Sequence, residues 1–186
     1  PRFLLPINLA NTSNLIGLFG ILSIGQAFVI ITGGIELSVG SLVALLGVLF
    51  IDFIAVQNMP WAIALPLILV LGGVLGAVHG WLITRLNLQP FVVTLCGLLI
   101  YRGAARFYTA DGTAGFAFGQ NFPTLEFLTA GRFSGVPNTF IALVIIAAVM
   151  WIVLHRSVYG RYLYAIGKNE EAAKYSGIRT TKMVTV

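Results

Sequence analysis

The chain has 186 residues, of which 58% are hydrophobic and only 9% charged, far below the roughly one quarter of charged residues in an ordinary soluble domain. So few charges cannot cover a water-facing surface, and with a mean hydropathy of +0.95 the apolar side chains must largely face a bilayer, which excludes a soluble globular domain. The net charge of +5 does not point to nucleic acid, because the basic residues gather at the ends of apolar runs instead of alternating with aromatics on a polar face.

The chain opens at Pro1 without an initiator methionine and closes at Val186 in a basic-to-apolar transition, so it reads as a fragment of a longer protein. Residues 1–14 carry neither the basic flank nor the small-residue cleavage site of a signal peptide. A first apolar run at about 14–32 is long enough to cross a hydrocarbon core of about 30 Å at about 1.5 Å per residue. Runs at about 37–56 and 61–83 follow, and Trp61 and Trp81 stand about one membrane thickness apart on the third, where aromatic belts form. Pro90, a good first-turn residue, opens a fourth span at about 90–108. Residues 109–138 contain Gly112, Gly115, Pro123, Gly131, Gly135 and Pro137, a density of breakers that predicts an exposed loop. A fifth span is expected at about 139–155. The expected fold is therefore an all-α integral membrane protein, a polytopic helical bundle whose residues 1–186 form part of one transmembrane domain.

Charge sets the orientation. The tail after the fifth span carries Arg156, Arg161, Lys168, Lys174, Arg179 and Lys182, whereas the preceding loop has only Arg132, so residues 156–182 are expected in the cytoplasm and 109–138 outside. Alternation then puts the turn at 84–87 inside and the turn at 57–59 and the chain start outside, which calls for an upstream span.

Ionisable groups within apolar runs need a reason. Arg102 and Arg106 share a face near the outer end of the fourth span, where snorkelling or pairing within the bundle is expected. Asp52 also lies near an outer end, His79 reads as a hydrogen-bonded packing residue and His155 as interfacial. Gly72, Gly76 and Gly80 recur every fourth residue in the third span and predict close helix packing on one face. The only cysteine, Cys96, sits in an apolar stretch, so no disulfide, metal site or cofactor is expected.

Two segments break the apolar pattern with purpose. Gly33-Gly34-Ile35-Glu36-Leu37-Ser38-Val39-Gly40-Ser41 is a glycine-flanked acidic turn between spans, in which Ser38 and Ser41 are able to bond freed backbone groups; the residues fit either a plain connection or a functional broken helix. Farther on, Asn169 has the character of an N-cap, Glu170 and Glu171 fall in a first turn, and Gly177 makes a stop, predicting a short polar helix. Its small residues Ala172 and Ala173 suit a partner's groove, and its weak apolar face counts against a membrane-surface helix.

The first of these segments resembles the G-G-I-D-L-S-V-G-S signature of ribose/xylose-type permeases of ATP-binding-cassette importers, in the bacterial branched-chain amino-acid/sugar permease superfamily, with Glu36 where aspartate is usual. Asn87-Leu88-Gln89-Pro90-Phe91-Val92-Val93-Thr94-Leu95 is similar to the family's L-P-P-F-I-V-T-L stretch, and Arg102-Gly103 falls where an Arg-Gly pair is found. The stretch from Tyr159 to Ile178 resembles G-R-x-x-Y-A-I-G-x-N-x-x-A-A-x-x-x-G-I, with Lys168 where glycine is frequent. The resemblance implies a permease subunit that moves a ribose-, xylose- or galactose-like monosaccharide across the bacterial inner membrane by alternating access. It implies two cytoplasmic ATPase subunits, a periplasmic sugar-binding protein that docks on the 109–138 loop, and a second permease copy. It makes the segment carrying Gly160, Arg161, Gly167, Asn169, Glu171, Ala172, Ala173 and Gly177 the one that couples to the ATPase. The chain itself is then no enzyme.

Other readings are a branched-chain amino-acid permease of the same superfamily and an ion-coupled secondary transporter. The latter commonly shows an internal repeat and midplane acids, and only Glu36 and Asp52 lie near spans. A membrane enzyme would need a nucleophile with its base or clustered ligands, which two distant histidines and one cysteine do not supply. The absence of a phosphate-binding glycine loop puts ATP hydrolysis on another chain.

Overall fold

Proline sets the start of several helices, because its fixed φ suits a first turn whose N–H has no partner anyway. The computed structural model describes residues 4–116 and 120–185. Pro6, Pro90 and Pro123 open α1 (Pro6–Ile31), α4 (Pro90–Tyr108) and α5 (Pro123–Ala130). Between them lie α2 (Val39–Ala55) and α3 (Trp61–Arg85). After α5 come a hairpin of β1 (Arg132–Phe133) and β2 (Val136–Pro137), then α6 (Asn138–Arg156), α7 (Val158–Lys168), α8 (Glu170–Tyr175) and α9 (Thr180–Thr185).

Helices α1, α3, α4 and α6 are long and apolar enough to cross a membrane. Helix α2, read from sequence as a span over 37–56, has 17 residues, about 26 Å at about 1.5 Å per residue, short of a hydrocarbon core of about 30 Å. Its start is delayed because the chain is not helical from Gly34 through Ser38. In the other direction, α1 begins at Pro6 and not at residue 14: hydropathy marks the apolar part of a helix, and the polar residues Asn8, Asn11, Thr12 and Ser13 continue the same helix before it. Asn58 and Asn87 adopt positive φ of 53° and 52° just beyond α2 and α3, a conformation asparagine tolerates better than most residues, so both connections stay short.

The chain divides into two compact units. The first joins the N-terminal segment through Thr32 to Asn121–Ile178. Here α1 packs along α6. The approach is close enough that a β-carbon on Gly17 would stand 2.6 Å from the Thr139 carbonyl carbon, and one on Gly20 2.8 Å from the Leu143 side chain. The Thr139 hydroxyl donates to Asn14 Oδ1 across the same seam. Within the stretch expected as an exposed loop, residues 123–137 hold a helix and a hairpin. Pro123 starts a helix where proline is welcome, and Ser134 and Gly135, both at positive φ (51° and 86°), form the two-residue turn of a hairpin pairing Phe133 with Val136 and Arg132 with Pro137.

The second unit comprises Gly33–Gln120 and Arg179–Val186. Helix α2 packs on α3 and α4, and α9 rests on α3. Gln120 closes the segment after α4 by donating from Nε2 to the Ala55 carbonyl at 3.0 Å. Ile54, Ala64, Ile68, Val93 and Tyr101 are buried. Elsewhere large apolar side chains face outward, Leu69 at 66% and Ile100 at 64% exposure, which only a lipid or protein surrounding accommodates.

Candidate functional site

The acidic turn lies wholly in the second unit. Gly33 takes a φ of +77°, which glycine alone adopts freely, and residues 34–38 run without helix into α2. The Ser38 backbone N–H and the Ser38 hydroxyl both donate to Glu36 Oε1, each at 2.6 Å. Ser38 is the N-cap of α2 and is 1% exposed. The Ser41 hydroxyl donates to the Ser38 carbonyl at 2.8 Å, beside the first helical bond from Leu42 N–H. A carboxylate thus closes the turn at the positive end of α2, where the helix dipole favours it. Gly34 lies in the non-helical stretch, and Gly40 has open space around it.

Helices α3 and α4 hold this turn from behind. Glu36 Oε2 lies 3.8 Å from His79 Nδ1, longer than a hydrogen bond. The other ring nitrogen, Nε2, is 3.0 Å from the Tyr101 hydroxyl, and the two rings stack at 5.5 Å between centroids. The Thr94 hydroxyl, 1% exposed, lies 2.9 Å from the Pro90 carbonyl and 3.3 Å from that of Ile35. Gly97 leaves room for the imidazole: a β-carbon there would stand 2.5 Å from His79 Cε1 and 3.3 Å from Ser38 Cβ. His79 is therefore hydrogen-bonded and packed, as its position in an apolar run required. What sequence reading missed was the company: Tyr101, Thr94 and Gly97, on a different helix. The available signal was that a histidine and a tyrosine in neighbouring apolar runs both need polar partners.

The glycines of α3 differ among themselves. A β-carbon on Gly72 would lie 2.9 Å from Leu46 Cδ1 of α2, whereas one on Gly76 meets nothing within 4 Å; Gly80 is buried. Of the arginines of α4, Arg106 pairs with Asp111 in the turn just beyond the helix and not within the bundle. Asp52 accepts from Gln57 Nε2 at 2.7 Å.

The polar segment after α6 is an elbow of two short helices in the first unit. Sequence reading found α8 and missed α7, whose basic residues made it look like tail. Ser157 caps α7 by accepting from the Gly160 N–H at 3.2 Å. Gly160, Leu163 and Ile166 form its buried face. A β-carbon on Gly160 would collide with the Leu154 carbonyl of α6, and one on Gly167 with the Ile31 carbonyl at the end of α1. The two glycines stand two turns apart because α7 crosses two backbones closely. Arg161 and Lys168 are exposed.

Asn169 Oδ1 accepts from the Ala172 N–H at 3.0 Å and so caps α8. At the other end the Ile178 N–H donates to the Ala173 carbonyl and the Gly177 N–H to that of Lys174, with Gly177 at φ +84°. This is the paired-bond stop that a left-handed residue makes possible. Ala173 is buried, while Glu170, Glu171, Ala172 and Lys174 are exposed and Tyr175 is 92% exposed. Lys174 bonds Glu170 at 2.8 Å, which holds its ammonium above the ordinary lysine value. At the foot of α6, His155 stacks on Trp151 and Arg156 lies over the same indole, an arrangement suited to a membrane interface.

The profile of the family described as "Branched-chain amino acid transport system / permease component" matches residues 8–186. The chain is 38% identical over 183 residues to the "Ribose import permease protein RbsC" of Bacillus subtilis, covering 98% of this chain and 56% of that protein. It is 32% identical over 182 residues to the "Fructose import permease protein FrcC" of Rhizobium meliloti, covering 91% and 48%. It is 33% identical over 158 residues to the "D-allose transport system permease protein AlsC" of Escherichia coli, covering 85% and 47%. The chain spans about half the length of the curated relatives it matches. No solved structure matches it. Its apolar helices and this matching place it among multi-pass inner-membrane proteins. With all but its first few residues inside the family profile, the chain belongs to the family of branched-chain amino acid transport system permease components.

Proposed function

We propose that this chain is part of the transmembrane permease subunit of an ATP-binding-cassette importer that carries a monosaccharide inward by alternating access. The whole of residues 1–186 belongs to one permease domain, with the elbow after α6 in the cytoplasm and the region between α4 and α6 outside. The observation that carries the reading is the build of α8. It is capped by Asn169 and stopped at Gly177, anchored by Ala173, and presents Glu171, Ala172 and Tyr175 outward. A helix held at both ends, with its polar side and an aromatic free, transmits force to a partner better than a mobile tail does. Its cytoplasmic partner is an ATPase subunit, the reading supported by the resemblance of residues 159–178 to the coupling segment of such importers. A periplasmic sugar-binding protein delivers substrate, and a second permease copy completes the pathway within the bilayer. Relatives whose printed names specify ribose, fructose and allose support a sugar over an amino acid. In this reading Gly33, Gly34, Glu36, Ser38, Gly40 and Ser41 shape the turn that starts α2, while Gly72, Gly76 and Gly80 serve helix packing.

The test is reconstitution of the full-length permease with its ATPase and binding protein in proteoliposomes. Sugar-loaded binding protein is expected to stimulate ATP hydrolysis and sugar uptake together. Glu171→Lys and Gly177→Val are expected to lower stimulated hydrolysis with assembly intact; unchanged coupling in both would remove α8 from this role. No response of the wild type to any monosaccharide would reject the sugar importer itself.

A further inference from the structure

His79 is a titratable side chain at 8% exposure in an apolar bundle, and nothing in the proposed transport cycle uses it directly. Its surroundings hold it on several sides. The imidazole stacks on Tyr101, lies against the α4 backbone at Gly97, and faces the Glu36 carboxylate. The ring's polarity also has a defined sense. With the proton on Nδ1, an N–H points toward Glu36 Oε2 at 3.8 Å and Nε2 accepts from the Tyr101 hydroxyl at 3.0 Å. The opposite neutral tautomer would turn the Nδ1 lone pair against the carboxylate, which is repulsive in a medium that screens charge poorly. The carboxylate therefore favours the ring state with the proton on Nδ1, and the Tyr101 hydroxyl, which can donate or accept, supplies the proton that Nε2 then needs. The carboxylate, steered through Oε2, offers Oε1 to the Ser38 N–H and hydroxyl.

We propose that His79 is a positioning residue for the acidic turn: from α3, and backed by Tyr101 of α4, it orients the Glu36 carboxylate that closes residues 33–38 onto the start of α2. It acts through Glu36 and touches no sugar. By this link the first turn of α2 moves with α3 and α4 as one body, a rigidity that a turn containing Gly33 and Gly34 lacks by itself. The effect on uptake rests on the importer reading above; the effect on the turn does not.

The experiment uses the full-length permease with its ATPase and binding protein in nanodiscs and proteoliposomes, as wild type, His79→Ala, Tyr101→Phe, Gly97→Ala and the His79→Ala/Gly97→Ala pair. Hydrogen exchange is followed in the peptide covering residues 33–41, and uptake is measured against the concentration of ribose-loaded binding protein. His79→Ala is expected to speed exchange at the Ser38 amide by about tenfold, the scale of losing a charge-assisted hydrogen bond. Maximal uptake falls while the half-saturating concentration of binding protein stays at the wild-type value. Gly97→Ala displaces the ring and reproduces both effects. The double variant is expected close to His79→Ala, because with the ring gone the nearest remaining contact of the added methyl is Ser38 Cβ at 3.3 Å, which a small shift relieves.

Wild-type exchange in the turn of His79→Ala overturns the proposal. Should His79→Ala fail to assemble, Tyr101→Phe decides in its place: it keeps both rings and removes only the hydroxyl, and wild-type exchange in that variant overturns the proposal equally. If the wild type transports no ribose, the substrate reading fails on that arm alone, and the exchange arm still decides the role of His79.

Discussion

Gly97 and His79 stand so close across α3 and α4 that a single methyl group on Gly97 would reach within 2.5 Å of the imidazole. The histidine is seated by the lack of a side chain opposite it. Gly97→Ala is accordingly expected to lower the stability of the folded permease by about 1–3 kcal/mol, the usual cost of overpacking. Gly76→Ala, on α3 itself, meets nothing within 4 Å and should stay within about 0.5 kcal/mol of wild type. Thermal unfolding of the two variants in the same detergent separates a glycine required by packing from one that is not.

Glu36 differs from the usual aspartate of the resembling signature by one methylene, and both of its oxygens face partners: Oε1 takes two bonds from Ser38, and Oε2 faces His79. Glu36→Ala leaves the Ser38 N–H and hydroxyl without this acceptor at 1% exposure, with an expected loss of about 1–3 kcal/mol. Glu36→Asp keeps an acceptor two residues before the Ser38 N–H, the geometry of an Asx turn, but withdraws from His79; a loss of about 1 kcal/mol or less is expected. Equal melting temperatures for the two variants would mean that the Ser38 bonds contribute nothing.

The spans were legible because hydropathy over some twenty residues is a property of the chain itself. The break at Gly33 and Gly34 and the caps at Asn169 and Gly177 were legible too, since each depends on the backbone preference of one residue. The meeting of Glu36, His79 and Tyr101 was not, because it depends on how three separate segments are rotated about their axes, and spacing within one segment does not encode that. Helix α7 lay between these cases. Gly160, Leu163, Ile166 and Gly167 follow a helical period, but Arg161 and Lys168 beside them drew attention to orientation and away from periodicity. Helix α5 and its hairpin were hidden because Pro123, Gly131 and Gly135 were counted as breakers, although each sits where a helix start, a helix stop or a hairpin turn needs it.

The ends of α8 make separate contributions. Asn169→Ala removes the acceptor for the Ala172 N–H and is expected to cost about 1 kcal/mol, while Asn169→Asp retains an acceptor and loses a few tenths at most, by about the margin that separates good caps. Gly177→Ala forces a β-carbon into φ +84°, at about 1–2 kcal/mol. Hydrogen exchange of residues 170–178 should rise in Asn169→Ala and Gly177→Ala and remain near wild type in Asn169→Asp.

Gly160 and Gly167 have no such latitude, because the colliding atoms belong to backbone and not to a side chain that could rotate. Alanine at either position is expected to cost about 3 kcal/mol, lowering the yield of folded protein from membranes. Lys168→Ala, next to Gly167 but exposed, should remain within about 0.5 kcal/mol of wild type. A Gly167→Ala protein as stable as Lys168→Ala would mean that α7 does not lie against the end of α1.

Orientation follows from the number of crossings between two exposed sites in the first unit. Ser134, in the β1–β2 turn, and Ala172, on α8, are both exposed, and the one helix between them long and apolar enough to cross a membrane is α6. A single crossing puts them on opposite sides. With Cys96 first replaced by serine, a membrane-impermeant maleimide should label Ser134→Cys from the periplasm at once and Ala172→Cys only after the membrane is opened. Labelling of both from one side would mean that α6 does not cross. Labelling in the reverse order would put α8 in the periplasm, where no ATPase is present to meet it, and the importer reading would lose the contact on which it stands.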